Sequence, residues 1–326
     1  MHAIDASTAG QLVWREVPDI APAAGEVVIR VHAAGVNRAD LLQAAGKYPP
    51  PPGASDILGL EVSGTIAAVG QNAHRWQPEQ EVCALLAGGG YAEYVAVPEA
   101  QVLPLPTGVN LTDAASLPEV ACTVWSNLKL TANLQVGQVV LLHGGASGIG
   151  THAIQVARAL GATVAVTAGS EAKLELCREL GAQIAICYRD EDFVEAIRAA
   201  TDGQGADVIL DIMGAAYLDR NIDALAPDGQ VVVIGMQGGI KGELNLGKLI
   251  GKRARVIGTS LRGRPVEGPH GKAAITAAVA EYVWPLIAEG HVRPIVGATL
   301  PIRDAAEAHR LLESGEVTGK VVLTVD

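Results

Sequence analysis

The chain has 326 residues and a formal net charge of -11, with a pI near 5.2. At roughly 100–200 residues per domain, this length predicts two domains, and the acidic charge disfavours nucleic acid or an anionic membrane surface as a partner. The apolar runs fall short of the roughly 18 residues that a membrane span needs, and no secretory leader is recognisable. The four cysteines form no CxxC pair, which indicates neither a disulfide framework nor a thiolate zinc cluster. We therefore expect a cytoplasmic protein.

Short β-type segments characterise the N-terminal third of the chain. From Glu26 to about Pro106, turns separate the segments EVVIRV, GLEVSGTIAAVG, EVCALLAGGGYAEYVAV and QVLPLP. These segments predict a barrel-like β domain.

The pattern changes after about Ala115. Near-continuous apolar runs, QVVLLHGG, ATVAVTA, QIAICY, ADVILDIMG and QVVVIG, alternate there with helical stretches, which is typical of a parallel sheet covered by helices. We predict that one helix ends at Gly161 and the next at Gly181. From about Lys272 the order is helix, strand (HVRPIV), helix (RDAAEAHRLLESG) and strand (GKVVLTV). These late elements are suited to complete the first domain.

A dinucleotide-binding motif follows the first of the apolar runs. Residues Gly148 to Ala153 satisfy the pattern G-x-G-x-x-G/A between a predicted strand and a predicted helix. The glycines permit a tight turn and a close backbone approach, and the N–H groups of a helix N-terminus suit a pyrophosphate. A turn without a ligand is the alternative, but the strand and the helix favour a cofactor. The candidates for binding it are Ser147, Gly148, Ile149 and Gly150.

The end of the next strand indicates which dinucleotide binds. An NAD enzyme carries Asp or Glu there for the ribose 2′-OH, whereas this strand ends TVAVTAGS. Gly169 and Ser170 leave room for a phosphate, Lys173 supplies a cation and Tyr188 a phenol. Glu171 opposes a phosphate if it points inward, and a solvated surface is the alternative for Ser170 and Lys173. The sequence predicts NADPH in preference to NADH.

Four segments carry a family resemblance that spans nearly the whole chain. They are GVNRADLLQAAGKYPPPPGASDILGLEVSGTIAAVG, LLAGGGYAEYVAVPE, HGGASGIG and TAGSEAKL, in this order. Together they resemble the zinc-independent quinone oxidoreductases of the medium-chain dehydrogenase/reductase superfamily, most of all the p53-inducible quinone oxidoreductase-like group. The resemblance implies an α/β fold, with a Rossmann doubly wound parallel sheet (119–264) inserted into a GroES-like β-barrel-type catalytic domain (1–118 and 265–326).

The resemblance also implies that no metal is bound. Zinc alcohol dehydrogenases of the superfamily have Cys where this chain has Asn37, Gly-His-Glu where it has Gly59-Leu60-Glu61, and a loop of four cysteines for a structural zinc. Leu60 cannot ligate a metal, and Asn37 is a poor zinc ligand beside a thiolate. We expect a site without metal.

Further site residues follow from the same resemblance. The segment that starts at Asn37 lies beside the nicotinamide in the family, and Tyr48 matches a tyrosine of the quinone pocket. Asn37, Asp40 and Tyr48 are therefore the candidate catalytic residues, and Asn37 and Leu41 are candidates for cofactor contact. Helix capping by Asn37 and Asp40, and a loop-anchoring role for Tyr48, are the alternatives. Other positions matched to cofactor contacts are Thr123, Gly235, Met236, Gly238, Thr259, Ser260, Leu261 and Lys320, while an arginine that some relatives place against the 2′-phosphate corresponds to about Gly315.

Three functions are compatible with these residues. The first is two-electron reduction of quinones by NADPH, in which Asn37 or Tyr48 donates a hydrogen bond to the acceptor oxygen that gains charge. The second is reduction of the activated C=C bond of an enal or enone, with Tyr48 as proton donor. The third is a non-catalytic NADPH-binding sensor or structural protein. The apolar run ARVIGTSL is a candidate edge strand for a homodimer.

Overall fold

A computed structural model describes residues 1–6 and 11–325, and the chain divides into two compact units. Unit 1 consists of Met1–Cys122, Leu261–Gly290 and Pro294–Asp326, and unit 2 consists of Thr123–Ser260 and His291–Arg293. Both ends of the chain thus belong to unit 1, into which unit 2 is inserted. From the sequence we placed the two domain boundaries after residues 118 and 264.

The N-terminal part of unit 1 is mainly β structure. Its antiparallel pairs join β3 to β4 and β6, β4 to β5, and β5 to β7, while β1 and β2 form a separate pair. The sequence pattern did not predict β1 and β2, because a four-residue strand has too few alternating positions to be recognised. The elements are β1 (His2–Asp5), β2 (Val13–Glu16), β3 (Glu26–Val36), α1 (Arg38–Ala44), β4 (Glu61–Val69), β5 (Glu81–Leu85), β6 (Tyr94–Pro98), β7 (Val102–Pro104) and α2 (Leu111–Ala114).

Unit 2 is a parallel sheet with helical connections. The helix α3 (Pro118–Trp125) leads into it, and its strands lie in the order β10-β9-β8-β11-β12-β13, with every neighbouring pair parallel. Strand centres such as Val140, Val164 and Ile209 are fully buried, which is why they read as continuous apolar runs. The elements are β8 (Val139–His143), α4 (Gly148–Ala159), β9 (Thr163–Ala168), α5 (Glu171–Leu180), β10 (Ile184–Cys187), α6 (Phe193–Ala200), β11 (Ala206–Asp211), α7 (Leu218–Ala224), β12 (Leu225–Val233), α8 (Leu246–Lys252) and β13 (Arg255–Gly258).

The predicted ends of two helices in unit 2 are confirmed. Gly161 follows α4 with a φ of 78°, and Gly181 caps α5 with a φ of 117°. Both residues have the left-handed backbone that ends helices and favours glycine.

The chain then returns to unit 1 through α9 (Lys272–Ala278), α10 (Trp284–Ala288), β14 (Val296–Pro301), α11 (Ala305–Ser314) and β15 (Lys320–Thr324). β15 pairs with β14 in parallel and with β3 in antiparallel register, which extends the sheet to the order β14-β15-β3-β4-β5-β7. The larger sheet of unit 1 is therefore made from both ends of the chain. No helix of the described ranges is long and apolar enough to cross a membrane.

The predicted strand HVRPIV was wrong, because β14 begins only at Val296. The carboxamide of Gln155 binds the backbone of Arg293, accepting its N–H at 2.9 Å and donating to its carbonyl at 3.1 Å. Pro294 has no N–H to offer to a strand partner. At Arg293 the segment is thus held by a side chain rather than by a sheet.

Candidate active site

The glycine-rich loop of unit 2 connects β8 to α4. Ser147 caps the helix, since its hydroxyl accepts the N–H of Gly150 at 3.0 Å and donates to the carbonyl of Gly144 at 2.7 Å. A Cβ on Gly150 would lie 2.3 Å from that carbonyl oxygen, so the helix approaches the loop more closely than any side chain permits. Gly148 and Ile149 open the helix, where backbone N–H groups have no partner within the helix and suit a phosphate. The predicted strand, loop and helix are confirmed.

The end of β9 brings two of the predicted phosphate contacts together. A Cβ on Gly169 would lie 2.6 Å from the Tyr188 hydroxyl, so that ring packs over the glycine while remaining 45% exposed. Ser170 is the N-cap residue of α5 but makes no capping hydrogen bond with its side chain, and Lys173 lies in the first turn of the same helix. A hydroxyl and an amine thus follow β9, where an NAD enzyme would carry an acid, and the phenol of Tyr188 follows the neighbouring strand β10.

The carboxylate of Glu171 is engaged on the outside of α5. The guanidinium of Arg178 donates to it at 2.5 Å and to Glu175 at 3.0 Å, and these bonds raise the pKa of Arg178. Since Arg178 lies further along the helix, Glu171 points toward the C-terminal end of α5 and its charge is offset there. It is not the inward-pointing acid that would repel a phosphate.

Other predicted cofactor residues of unit 2 follow the carboxyl ends of the parallel strands. Gly235, Met236 and Gly238 come after β12, and Thr259 and Ser260 come after β13. Carboxyl ends of parallel strands meet at one edge of a sheet, where ligands of open α/β folds bind. These residues therefore share an edge with the glycine-rich loop after β8.

A buried asparagine that we did not select from the sequence connects two of the predicted residues. The Nδ2 of Asn127 donates to the carbonyl of Thr123 at 2.7 Å, and its Oδ1 accepts the hydroxyl of Thr259 at 2.6 Å. Asn127 is only 3% exposed. A single Asn within a helical stretch has no sequence pattern to mark it.

In unit 1, both ends of the chain contribute to a buried ion pair. The Nζ of Lys320 donates to Glu61 and to the Oδ1 of Asn37, each at 2.6 Å, and to the Val36 carbonyl at 3.0 Å. The other Glu61 oxygen accepts the Glu119 N–H at 2.8 Å. The side chains of Glu61 and Lys320 are 0% and 6% exposed. All three N–H groups of the ammonium are thereby used within the protein.

Both polar atoms of the Asn37 side-chain amide make hydrogen bonds. Besides accepting from Lys320, it donates from Nδ2 to Glu61 at 2.9 Å and to the Gly35 carbonyl at 3.4 Å. From the sequence we expected Asn37 to donate a hydrogen bond to the acceptor and Lys320 to lie near the cofactor. The structure places both in this buried network, and only the long bond to Gly35 is weak enough to be exchanged for a ligand.

Asp40 belongs to a second buried group of titratable side chains. Its carboxylate accepts the backbone N–H of Asn37 at 2.8 Å and of Gly59 at 3.1 Å, so the capping interpretation holds for Asp40. The Tyr91 hydroxyl lies 3.4 Å from the carboxylate and 3.2 Å from the Nε2 of His309. Burial raises the pKa of Asp40 to about 6, although the two backbone N–H groups lower it, and burial lowers the pKa of His309 to about 4.

Tyr48 lies beside a buried arginine. The guanidinium carbon of Arg262 is 5.3 Å from the centre of the half-buried Tyr48 ring. Arg262 is 4% exposed and donates to the Ala87 carbonyl at 2.8 Å and to the Oε1 of Gln43 at 2.7 Å. We did not select Arg262 from the sequence, because one basic residue in a loop is usually a surface charge.

The two leucines that we predicted to contact the cofactor are partly or largely buried. Leu41 packs against a hydrophobic core cluster of unit 1, and Leu261 is 8% exposed.

A buried polar cluster supports the loops after β8 and β11 in unit 2. The ring of His143 has Thr167 at 3.1 Å and Asn221 at 2.8 Å from its two nitrogens, and burial lowers its pKa to about 4. Asp211 accepts two backbone N–H groups of the loop that follows it, from Met213 and Gly214. These bonds hold the carboxyl edge of the sheet in place.

Metal ligands are not grouped in the part of the chain that the structure describes. No set of three or more His, Cys, Asp or Glu residues is arranged there to hold a metal ion.

Comparison with known proteins agrees with the division into two units. The alcohol dehydrogenase GroES-like domain family matches residues 23–107, and the zinc-binding dehydrogenase family matches residues 148–275. The quinone oxidoreductase of Rattus norvegicus is 30% identical over 305 residues, which are 93% of this chain and 90% of the relative. The chain belongs to the quinone oxidoreductase family of the medium-chain dehydrogenase/reductase superfamily.

This member of the quinone oxidoreductase family also matches part of a much longer protein. It is 30% identical over 309 residues to a phenolphthiocerol/phthiocerol polyketide synthase of Mycobacterium tuberculosis, but it spans only 14% of that relative's length. Family membership therefore rests on relatives of similar length.

Solved structures share the fold over nearly the whole length. Escherichia coli quinone oxidoreductase complexed with NADPH has a TM-score of 0.88 at 28% identity, covering 99% of this chain and 98% of that one. An NAD-dependent alcohol dehydrogenase has a TM-score of 0.88 at 30% identity, with 100% of each chain covered. The CurK enoyl reductase has a TM-score of 0.86 at 27% identity, covering 100% and 99%. The predicted α/β class, a Rossmann doubly wound parallel sheet with a GroES-like domain, is confirmed.

Proposed function

We propose that this quinone oxidoreductase family member reduces quinones with NADPH by direct hydride transfer and without a metal ion. The observation that carries the proposal is the carboxyl edge of unit 2, where Gly150 permits close backbone approach and β9 is followed directly by Gly169 and Ser170 rather than by an acid. The relatives named above support it, since one is a quinone oxidoreductase and a solved one was complexed with NADPH.

The residues of unit 2 fit NADPH. The glycine cradle and the helix N-terminus suit the diphosphate, and Ser170, Lys173 and Tyr188 provide donors for a 2′-phosphate. The pairing of Glu171 with Arg178 partly offsets the negative charge of this carboxylate. When bound, NADPH supplies the hydride, and the task of the protein is to position and desolvate the reactants.

The donor set in unit 1 suits a reaction without zinc. Asn37 and Glu61 share the ammonium of Lys320, each with an oxygen 2.6 Å from it. Leu60, which is 2% exposed, adds no ligand. A positive charge of the protein itself thus lies where the zinc enzymes of the superfamily carry ligands.

Residues of unit 1 would then act through hydrogen bonds and positioning. We assign Tyr48 the donation of a hydrogen bond to the acceptor oxygen as charge develops on it. Asn37 and Asp40 fix the start of α1 through the bonds described above, and Leu41 contributes apolar surface. A hydroquinone anion takes its second proton from water, so no dedicated acid is required.

The test is oxidation of NADPH by purified protein, followed by absorbance with and without 1,4-naphthoquinone. We expect naphthoquinone to accelerate oxidation, with kcat/KM at least about tenfold higher for NADPH than for NADH. Equal rates with and without naphthoquinone would reject quinone reduction. Binding of NADPH without turnover of any acceptor would favour a sensor.

Reduction of an activated C=C bond is the second candidate, favoured by the likeness to the CurK enoyl reductase. It predicts faster turnover of 2-alkenals or enones than of naphthoquinones. Because this reaction needs a proton at the α-carbon, Tyr48→Phe should then abolish enal turnover, whereas quinone turnover should fall by only about tenfold.

We also propose that the protein forms a homodimer through the edge of the unit 2 sheet. β13 pairs only with β12 among the described strands, and Val256 on it is 36% exposed. Ile250 and Leu246 on the preceding α8 are 74% and 61% exposed, and unpaired edges of this kind are normally covered. Val256→Lys should convert a dimer to a monomer in light scattering, and a monomeric wild-type protein would refute the proposal. No nucleic-acid partner is proposed, and the cytoplasmic location stays a prediction.

A further inference from the structure

The guanidinium of Arg262 is buried in unit 1 without an acidic partner. Its two hydrogen-bond acceptors, the Ala87 carbonyl and the Gln43 amide, are neutral. Its third nitrogen, Nη1, is buried and has no hydrogen-bond partner among the described residues. A buried charged donor left unsatisfied is costly, and such groups in native proteins call for an explanation.

The position of Nη1 is fixed by the groups that hold the other two nitrogens. Gln43 donates its Nε2 to the Asp56 carbonyl at 2.9 Å, so its Oε1 is turned toward Arg262. Ala87 precedes the glycines Gly88 and Gly89, whose φ angles of 158° and 96° shape the loop. A planar guanidinium bound at Nε and Nη2 has little freedom, so its free edge is preorganised for a ligand.

A second buried cation increases the local positive potential. Lys272 is also 4% exposed; burial lowers its pKa, Glu119 opposes this and Arg262 lowers it further. Neither Lys272 nor Arg262 has a carboxylate within 4.0 Å among the described residues. Asp40 and Glu119 act on Arg262 only through longer-range attraction. The cluster of Arg262, Lys272, Gln43 and Tyr48 thus has positive charge that no contact neutralises.

We propose that Nη1 of Arg262 binds an oxygen of the electron acceptor and makes the enzyme prefer acceptors with a negative charge. The chemical class is an aromatic quinone bearing a sulfonate, a carboxylate or an ionised hydroxyl group. The adjoining Tyr48 ring offers a flat apolar surface for the aromatic part, and a charged acceptor satisfies Nη1 with a charge-assisted hydrogen bond. This inference deepens the proposed reduction of quinones and rests on it.

The experiment compares a neutral and a charged acceptor of similar shape. NADPH oxidation is measured with 1,4-naphthoquinone and with 1,4-naphthoquinone-2-sulfonate, for the wild type, Arg262→Gln and Arg262→Lys. We expect the wild type to have a higher kcat/KM for the sulfonate than for the neutral quinone. Arg262→Gln should lower this preference by about tenfold or more, mainly through KM, and Arg262→Lys should retain part of it. Arg264→Gln removes one positive charge from the same loop and should leave the preference unchanged.

A binding measurement keeps the test independent of turnover. Calorimetric titration of anthraquinone-2-sulfonate into protein saturated with NADP⁺ should show binding to the wild type and at least about tenfold weaker binding to Arg262→Gln. If no quinone is turned over but this difference is found, the proposed reaction fails and the anion site stands. If naphthoquinones are turned over and the preference is the same in Arg262→Gln, the reaction stands and the anion site is overturned.

Two further results would also overturn the inference. One is the absence of anthraquinone sulfonate binding to the wild type. The other is a rise in the Kd for NADPH in Arg262→Gln with an unchanged acceptor preference, which would assign Arg262 to the cofactor. Arg262→Lys serves as the second variant if Arg262→Gln does not fold, as judged by circular dichroism.

Discussion

The ammonium of Lys320 lies 2.6 Å from the carboxylate of Glu61, inside unit 1 and 259 residues away in the chain. Removing one member of a buried pair leaves the other charge uncompensated, so we expect Lys320→Met to lower the free energy of unfolding by about 3–5 kcal/mol. Urea unfolding measures it. Since Lys320 also fixes Asn37, activity should fall in the same variant.

The control for this pair is the exposed pair of Arg253 and Asp228, whose side chains are 64% and 67% exposed. Asp228→Asn should leave stability unchanged within error. The double variant Glu61→Gln/Lys320→Met should lose less free energy of unfolding than the two single variants lose together. Additive losses would show that the two side chains do not act as a pair.

Gly150 is predicted to be irreplaceable in the glycine-rich loop. A Cβ there would lie 2.3 Å from the Gly144 carbonyl oxygen, so Gly150→Ala should destabilise the protein by about 2–4 kcal/mol and weaken NADPH binding. Gly251→Ala is the matched control, because nothing lies within 4 Å of its Cβ position in α8. That substitution should be neutral or stabilise by up to about 1 kcal/mol. Equal melting temperatures for the two variants would contradict the close approach.

Lys173 is predicted to select the 2′-phosphate of NADPH. Lys173→Ala should raise the Kd for NADPH by about tenfold, with little effect on NADH. Fluorescence titration of both nucleotides measures the selectivity. Arg310→Ala, which removes a cation from an exposed pair with Glu307 in unit 1, should change neither value. An equal rise in the Kd values for NADPH and NADH would show that Lys173 does not bind the 2′-phosphate.

Asp40 makes stability depend on pH with a known sign. Burial raises its pKa in the folded protein to about 6 from 3.8, so the folded state holds its proton more tightly than the unfolded state. Asp40 therefore makes its full contribution to the free energy of unfolding below pH 3.8. This contribution, up to about 3 kcal/mol, is lost as the pH rises through 6. Relative to the wild type, Asp40→Asn should therefore gain stability between about pH 4 and 7. A constant difference across this range in denaturant unfolding would disprove the raised pKa.

His152 gives the opposite pH dependence. It is 3% exposed, its Nε2 has no hydrogen-bond partner among the described residues, and burial lowers its pKa from 6.5 to about 4. Neutral His152 makes its full contribution to the free energy of unfolding above pH 6.5. As the pH falls toward 4 this contribution is lost, and the loss amounts to about 2 kcal/mol at about pH 5. His152→Leu should remove this loss, while exchange of the exposed His270 for Gln should not. An unchanged acid slope for His152→Leu would count against a neutral buried imidazole.

Local chemistry explains which features of the fold the sequence predicted. The motif around Gly148 and Gly150, and the helix ends at Gly161 and Gly181, depend on backbone angles and close approaches within a few residues. The parallel sheet was predictable as well, because burial on both faces requires continuous apolar strands. The strand HVRPIV failed as a prediction because Gln155 captures that backbone from another part of unit 2. A contact between residues so far apart in the chain cannot be predicted from a local sequence pattern.

The sequence by itself determined the two kinds of sheet, the dinucleotide motif and the absence of an acid at the end of β9. Only the tertiary structure decided the partners of the buried charged residues: Lys320 with Glu61, and Arg262 with neutral partners alone. The physical reason is that helix capping and the apolar character of a strand depend on residues close together in the chain. The state of a buried charge is instead set by groups that folding brings near it from remote positions, within the few ångströms over which hydrogen bonds and ion pairs act.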